Sequence, residues 1–160
     1  MDYNDIKPLK IDWNDLSLYD QLVLTENPSF CMYPWTHLHA YPDNTVHLCC
    51  MSEMDMPVGN LNDNTLEEIW HSDNMQTIRQ KMIDGIALPE CTKCYEQDKN
   101  GFMSGRVSAN KHFGHHIAKA RTVEPEYEIV YWDVRFSNLC NFRCRTCGPL
   151  FSSNWYQDYV

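Results

Sequence analysis

Cysteine placement constrains this chain more than any other feature. Cys140-Asn141-Phe142-Arg143-Cys144-Arg145-Thr146-Cys147 sets three thiols at C-x3-C-x2-C spacing. A structural zinc takes four ligands in a closed tetrahedron. Iron–sulfur clusters are also usually tied by four cysteines. Three thiolates on a four-iron cluster leave one iron open, and an open iron binds a substrate or cofactor.

The remaining cysteines fit the same chemistry. Eight occur in 160 residues. The start, Met1-Asp2-Tyr3-Asn4-Asp5, lacks the apolar segment of a secretory signal, and no run is long enough to span a bilayer. A cytoplasmic, reducing location is the expectation, and there cysteines serve as metal or cluster ligands rather than disulfides. The formal net charge of −9 argues against a general nucleic-acid grip, which needs a basic footprint. Charge is uneven, however. Residues 1–27 carry six acids against two lysines, while Arg106 to Arg121 carries four basic residues, three histidines and no acid. That run reads as a solvated linker or helix face or, alternatively, as a contact for an acidic partner or an RNA-like substrate.

The local patterns predict an α+β chain. Residues 1–27 form an N-terminal arm with a short helix around Leu16–Leu24, ended by the breaker Asn27-Pro28-Ser29. Thr36 to Tyr41 and Thr45 to Cys49 alternate around Pro42-Asp43-Asn44, which predicts a β-hairpin. Leu38, Ala40, Val46 and Leu48 then share a core face. His37, His39 and His47 fall on the wetter face, solvated or, alternatively, available to a metal. Thr65-Leu66-Glu67-Glu68 has the capping-box pattern and predicts a short helix through Trp70. A second helix runs from about Asp73 to Asp84, with Met75, Ile78 and Met82 as its core face and Gly85 as its stop. Gly101 to Gly114 reads as a connection. Ile129 to Phe136 alternates as a strand, and a serine-capped helix follows Gly148-Pro149.

A strand, a ligand-bearing loop and a helix in succession make the first unit of a β/α barrel, whose chemistry sits on loops at the strands' C-terminal ends. With this setting, Cys140, Cys144 and Cys147 resemble the cluster loop of the radical S-adenosylmethionine (SAM) superfamily. The resemblance implies a 4Fe–4S cluster on these three cysteines, with SAM chelated by its amino and carboxylate groups at the open iron. One electron then cleaves SAM to a 5′-deoxyadenosyl radical that abstracts hydrogen from substrate. The cofactor carries the hard chemistry and the protein aims it. Many members place an aromatic residue just before the third cysteine; here that residue is Thr146. Arg143 and Arg145 either point at the cluster and raise its potential or face solvent.

A second set lies upstream. Cys91-Thr92-Lys93-Cys94 is a C-x2-C knuckle. It is preceded by Cys31-x2-Pro34-Trp35, by the hairpin with Cys49-Cys50, by Gly59-Asn60-Leu61, and by the helix through Trp70. In this order the segment from 31 to 94 resembles the SPASM/twitch auxiliary-cluster domain, with Asn44 at the hairpin turn where that family has glycine. The resemblance implies a closed auxiliary 4Fe–4S cluster on Cys31, Cys49, Cys91 and Cys94, with Cys50 as the alternative to Cys49. Four thiolates are equally a structural zinc set, and that alternative stays open. In relatives this domain usually follows the barrel, whereas here it precedes it.

The expected organisation is therefore an arm over 1–27, a SPASM/twitch-like domain of hairpin and helices over 28–100, a linker over 101–126, and the start of a radical SAM partial barrel over 127–160. A complete barrel needs roughly 200 residues, so the chain is expected to be the front of a longer enzyme or to be completed by a partner chain. The function implied is reductive SAM cleavage, with a peptide or protein substrate and an electron donor as partners. The alternative is a non-catalytic iron–sulfur or zinc module for electron transfer or binding.

Overall fold

The computed structural model describes residues 13–133, 135, 137–149 and 151–158. Residues 1–12 of the expected arm over 1–27, the expected strand positions Val134 and Phe136, Leu150 and the last two residues lie outside the described residues.

Helix α1 spans Leu18–Glu26. It starts at Ser17, whose Oγ accepts from the Asp20 N–H at 3.1 Å and donates to Asp20 Oδ2 at 2.7 Å. This is an N-cap that satisfies one of the helix's orphan donors. At the far end Asn27 holds the turn: its Oδ1 accepts from the N–H groups of Ser29 and Phe30. Its Nδ2 donates to the carbonyl of Met82, 55 positions away.

The hairpin follows. Strand β1 is His39–Ala40, β2 is Thr45–His47 and β3 is Gly59–Asn60, in an antiparallel sheet of order β1-β2-β3. His39 pairs with His47, and Val46 pairs with both Ala40 and Gly59. Asn44 turns the hairpin at φ 70°, a left-handed backbone that asparagine tolerates through local hydrogen bonding. Gly59 is needed for closeness: a Cβ there would lie 2.7 Å from Ile69. Both strands stop earlier than the alternation suggests. Cys49 and Cys50 therefore sit in the turn after β2 rather than on a strand.

Helix α2, Leu66–Trp70, carries the expected capping box, with Glu68 N donating to Thr65 Oγ1 and Thr65 N donating to Glu68 Oε2. Helix α3, Asp73–Ile83, buries Met75, Ile78, Arg79 and Met82. Each of the three apolar side chains contributes about 1.5–3 kcal/mol by leaving water. The left-handed Gly85 ends the helix, at φ 73°. Helix α4, Thr92–Lys99, starts at Cys91 and carries Cys94 on its buried side. Phe30, Met32, Trp35, Val46, Leu48, Trp70 and Met75 form the centre of one continuous core.

The structure corrects three sequence readings. First, the stretch from Gly101 to Gly114 is not merely a connection. Ser104 caps helix α5, Gly105–Phe113, which packs on α1 and buries Ala109 and Asn110. The few apolar residues of α5 hide it from a periodicity test, because Asn110 docks by hydrogen bonds to Met32, Leu24 and Phe30 instead.

Second, His37, His39 and His47 are buried, not solvated. The segment from 122 to 135 crosses their face of the hairpin. His37 Nδ1 meets the Tyr131 carbonyl at 2.8 Å, and the Val130 and Tyr131 N–H groups both donate to the Thr36 carbonyl.

Third, none of the described residues from 129 to 136 has strand pairing. A strand needs a neighbouring ladder, and here the N–H groups of Val130 and Tyr131 share the single carbonyl of Thr36. Of the expected final helix, residues Ser153–Asp158 form a 3-10 turn.

Buried Arg79 fastens the same segment. Its Nε donates to the Pro34 carbonyl at 2.9 Å, and its Nη1 donates to the carbonyls of Trp70 and Val123 at 2.8 and 3.0 Å. The guanidinium lies 4.6 Å from the centroid of the Trp70 ring. Trp35 Nε1 donates to the Thr122 carbonyl and Trp70 Nε1 to the Pro125 carbonyl.

Candidate cysteine sites

Four cysteines converge from separate elements. Cys31 leads into the turn Tyr33–Trp35, Cys49 lies just past β2, and Cys91 and Cys94 straddle the start of α4. Cys31 and Cys94 are buried, and Cys49 and Cys91 are half-buried. The turns that carry them are tied together. The Glu53 N–H donates to the Glu90 carbonyl at 3.0 Å, and Lys93 pairs with Glu53 at 3.3 Å. The N-terminus of α5 closes on the same place, where a Cβ on Gly105 would lie 3.7 Å from Cys94 Sγ.

The electrostatics are those of crowded sulfurs. Burial, and then the neighbouring Cys49, raise the Cys31 thiol well above its usual range, with Cys91 and Cys94 adding to the effect. Burial pushes Cys49 and Cys91 up to about 12 each, and each also feels Cys94. Desolvation disfavours the charged form, and each like charge nearby disfavours it further. Local donors oppose this. The Tyr33 N–H is directed at the Cys31 sulfur, those of Met51 and Ser52 at Cys49, and the Tyr95 phenol at Cys91. Cys31, Cys49 and Cys91, desolvated, set beside one another and Cys94, and each with a local donor, fit a cationic metal centre, which favours thiolate forms. Among the described residues, no three His, Cys, Asp or Glu side chains stand at ligand distances from a common point. Ligation therefore requires these sulfurs to turn inward.

Cys50 behaves differently. It is exposed, and the charges near it are those of Asp133 and Arg135 as well as Cys94.

The downstream trio sits on one stitched loop. The Cys147 N–H donates to the Cys144 carbonyl at 2.9 Å, and Ser152 Oγ donates to the Phe142 carbonyl at 2.8 Å. The Ser153 N–H returns to the Asn138 carbonyl at 2.8 Å. Cys144 is exposed, and Cys140 and Cys147 are half-buried. Arg143 is turned away to Asp158 and Gln157, and Arg145 is exposed.

The basic run is largely paired internally. Arg106 binds Asp98 and the carbonyls of Asn27 and Phe30, Arg121 binds Asp20, and Lys119 binds Glu128. Among the described residues no helix is long and apolar enough to cross a membrane. The sulfur-directed roles of Tyr33, Tyr95, Met51 and Ser52 have no motif of their own. Only their place beside a cysteine in sequence signals them.

Residues 31–95 match the family model of SPASM, an iron-sulfur cluster-binding domain. Neither a curated protein nor a solved structure matches the chain significantly.

Proposed function

We propose that this chain holds both the SAM-binding cluster and the auxiliary cluster of a radical SAM protein. One observation carries the reading: a segment matching an iron–sulfur cluster-binding domain shares its chain with a braced C-x3-C-x2-C loop. Cys31, Cys49, Cys91 and Cys94 would hold the auxiliary 4Fe–4S cluster, with Cys50 as the alternative to Cys49. Cys140, Cys144 and Cys147 would hold the second 4Fe–4S cluster and leave one iron for the amino and carboxylate groups of SAM. When bound, that cluster supplies one electron to the sulfonium, which yields methionine and a 5′-deoxyadenosyl radical for hydrogen abstraction.

The chain's own residues prepare these sites. The N–H groups of Tyr33, Met51 and Ser52 and the Tyr95 hydroxyl stabilise sulfur charge in a dry setting. Ser152 and Asn154 pin the carbonyls of Phe142 and Asn141 and so brace the loop between Cys140 and Cys144. With Arg143 engaged by Asp158, its charge faces away from the trio. A peptide or protein is the proposed substrate class, served by an external electron donor.

Metal and sulfide content after anaerobic purification tests this. About eight irons per chain, with matching sulfide, support two four-iron clusters. Zinc without iron overturns both assignments. SAM is then added to the reduced protein. A changed EPR signal and release of 5′-deoxyadenosine support the radical reading. Iron with neither response would leave a non-catalytic module for electron transfer or partner binding.

A further inference from the structure

We infer that Arg135 is a positioning residue: paired with Asp133, which packs against the hairpin at His39, it seats the three-cysteine loop on the hairpin. The connection is visible atom by atom. His39 is fully buried in β1, and its Nδ1 lies 3.0 Å from Asp133 Oδ2, close but off the hydrogen-bond line. The other oxygen, Oδ1, lies 3.5 Å from Arg135 Nε. The Arg135 guanidinium lies 4.6 Å from the centroid of Phe151 and 5.7 Å from that of Tyr41. Those two rings are themselves 6.3 Å apart.

Each end of this clasp is fixed in its own unit. Tyr41 is buried, edge-on to His39 at 4.4 Å and to His47 at 5.2 Å. Phe151 belongs to the loop's frame: its N–H and that of Ser152 both donate to the Gly148 carbonyl at 3.0 Å. Ser152 in turn holds Phe142 inside the cysteine loop. Whatever holds Phe151 thus holds the cysteines. An ordinary surface arginine would reach into water, where its ion pair counts for little. Here the side chain is 29 % exposed, a ring from each unit lies near its guanidinium, and its carboxylate partner is mostly buried against the hairpin. A flat guanidinium stacks on rings in a way an ammonium does not.

The clasp is a property of the fold. Its importance for SAM chemistry rests on the function proposed above, and the two are tested separately. Hydrogen exchange is followed by mass spectrometry on the whole, anaerobically purified chain. In Arg135→Gln, amides over 138–153 should exchange about tenfold faster, as loss of a partly desolvated cation–π contact allows, while those over 31–95 stay unchanged. Asp133→Asn should move the same region in the same direction. Arg135→Lys should fail to restore protection, and Phe151→Leu should add nothing in the Arg135→Gln background. Unchanged exchange over 138–153 in Arg135→Gln overturns the clasp, and so does an equal rise over 31–95. In the reduced protein, the SAM concentration for half-maximal EPR change should rise about tenfold in Arg135→Gln at unchanged iron content. A wild-type protein that ignores SAM would sink the function and leave the exchange result to judge the clasp.

Discussion

Cys49 and Cys50 are neighbours in sequence with different surroundings. Both feel Cys94, but Cys49 is half-buried and also acts on Cys31 and Cys91, whereas Cys50 is exposed beside Asp133 and Arg135. Cys49→Ser should therefore lose about four of about eight irons, and Cys50→Ser should keep them; iron analysis of the two variants decides it. The buried histidines give a second residue-level expectation. Burial lowers His37 and His47 and drives His39 down to about 4, against the favourable charge of Asp133. Below their ordinary value near 6.5 the unfolded chain takes up protons that the folded chain refuses. The stability they contribute is therefore present above about pH 6.5 and is lost as pH falls toward about 4. Each unit of depression is worth about 1.4 kcal/mol. Urea midpoints measured from pH 7 to pH 4.5 should fall, and His39→Gln should flatten the trend.

Short elements here depend on their ends. Helix α2 has five residues, too few to persist on propensity alone, yet it delivers Ile69 and Trp70 to the core. Thr65→Ala removes one half of the capping box and should cost about 1 kcal/mol, read as a shift in the denaturation midpoint. This box was legible because its residues are local and polar. So were the hairpin turn at Asn44 and the Met75–Ile78–Met82 face of α3. The cysteine order was equally plain. The histidine face and α5 were not legible, for a common physical reason. The hairpin's second covering layer arrives from residues about 90 positions later. Asn110 anchors α5 through hydrogen bonds to a distant turn rather than through apolar spacing. The alternation from 129 to 136 was real as a pattern, but the N–H groups of Val130 and Tyr131 go to Thr36 rather than to a neighbouring strand.

At the scale of the whole molecule, Arg79 joins the turn at Pro34, the end of α2 and the crossing segment at Val123. Burial lowers its guanidinium to about 10, so it stays charged at neutral pH, and among the described residues it has carbonyl partners but no carboxylate. Arg79→Met leaves three carbonyls short of donors and should cost roughly 2–4 kcal/mol, measured by chemical unfolding. Arg79→Lys should rescue little, because an ammonium lacks the fork that spans three carbonyls. The crossing segment from 122 to 131 has a further consequence. It is gripped through main-chain oxygens, at Thr122, Val123, Pro125 and Tyr131, while Trp35, Arg79, Trp70 and His37 supply the donors. Tolerance of substitution is therefore lopsided: at Thr122, Val123 and Pro125 the grip is on the backbone, whereas Tyr127, Ile129 and Tyr131 also pack by their side chains, and the four donors beneath the segment cannot change.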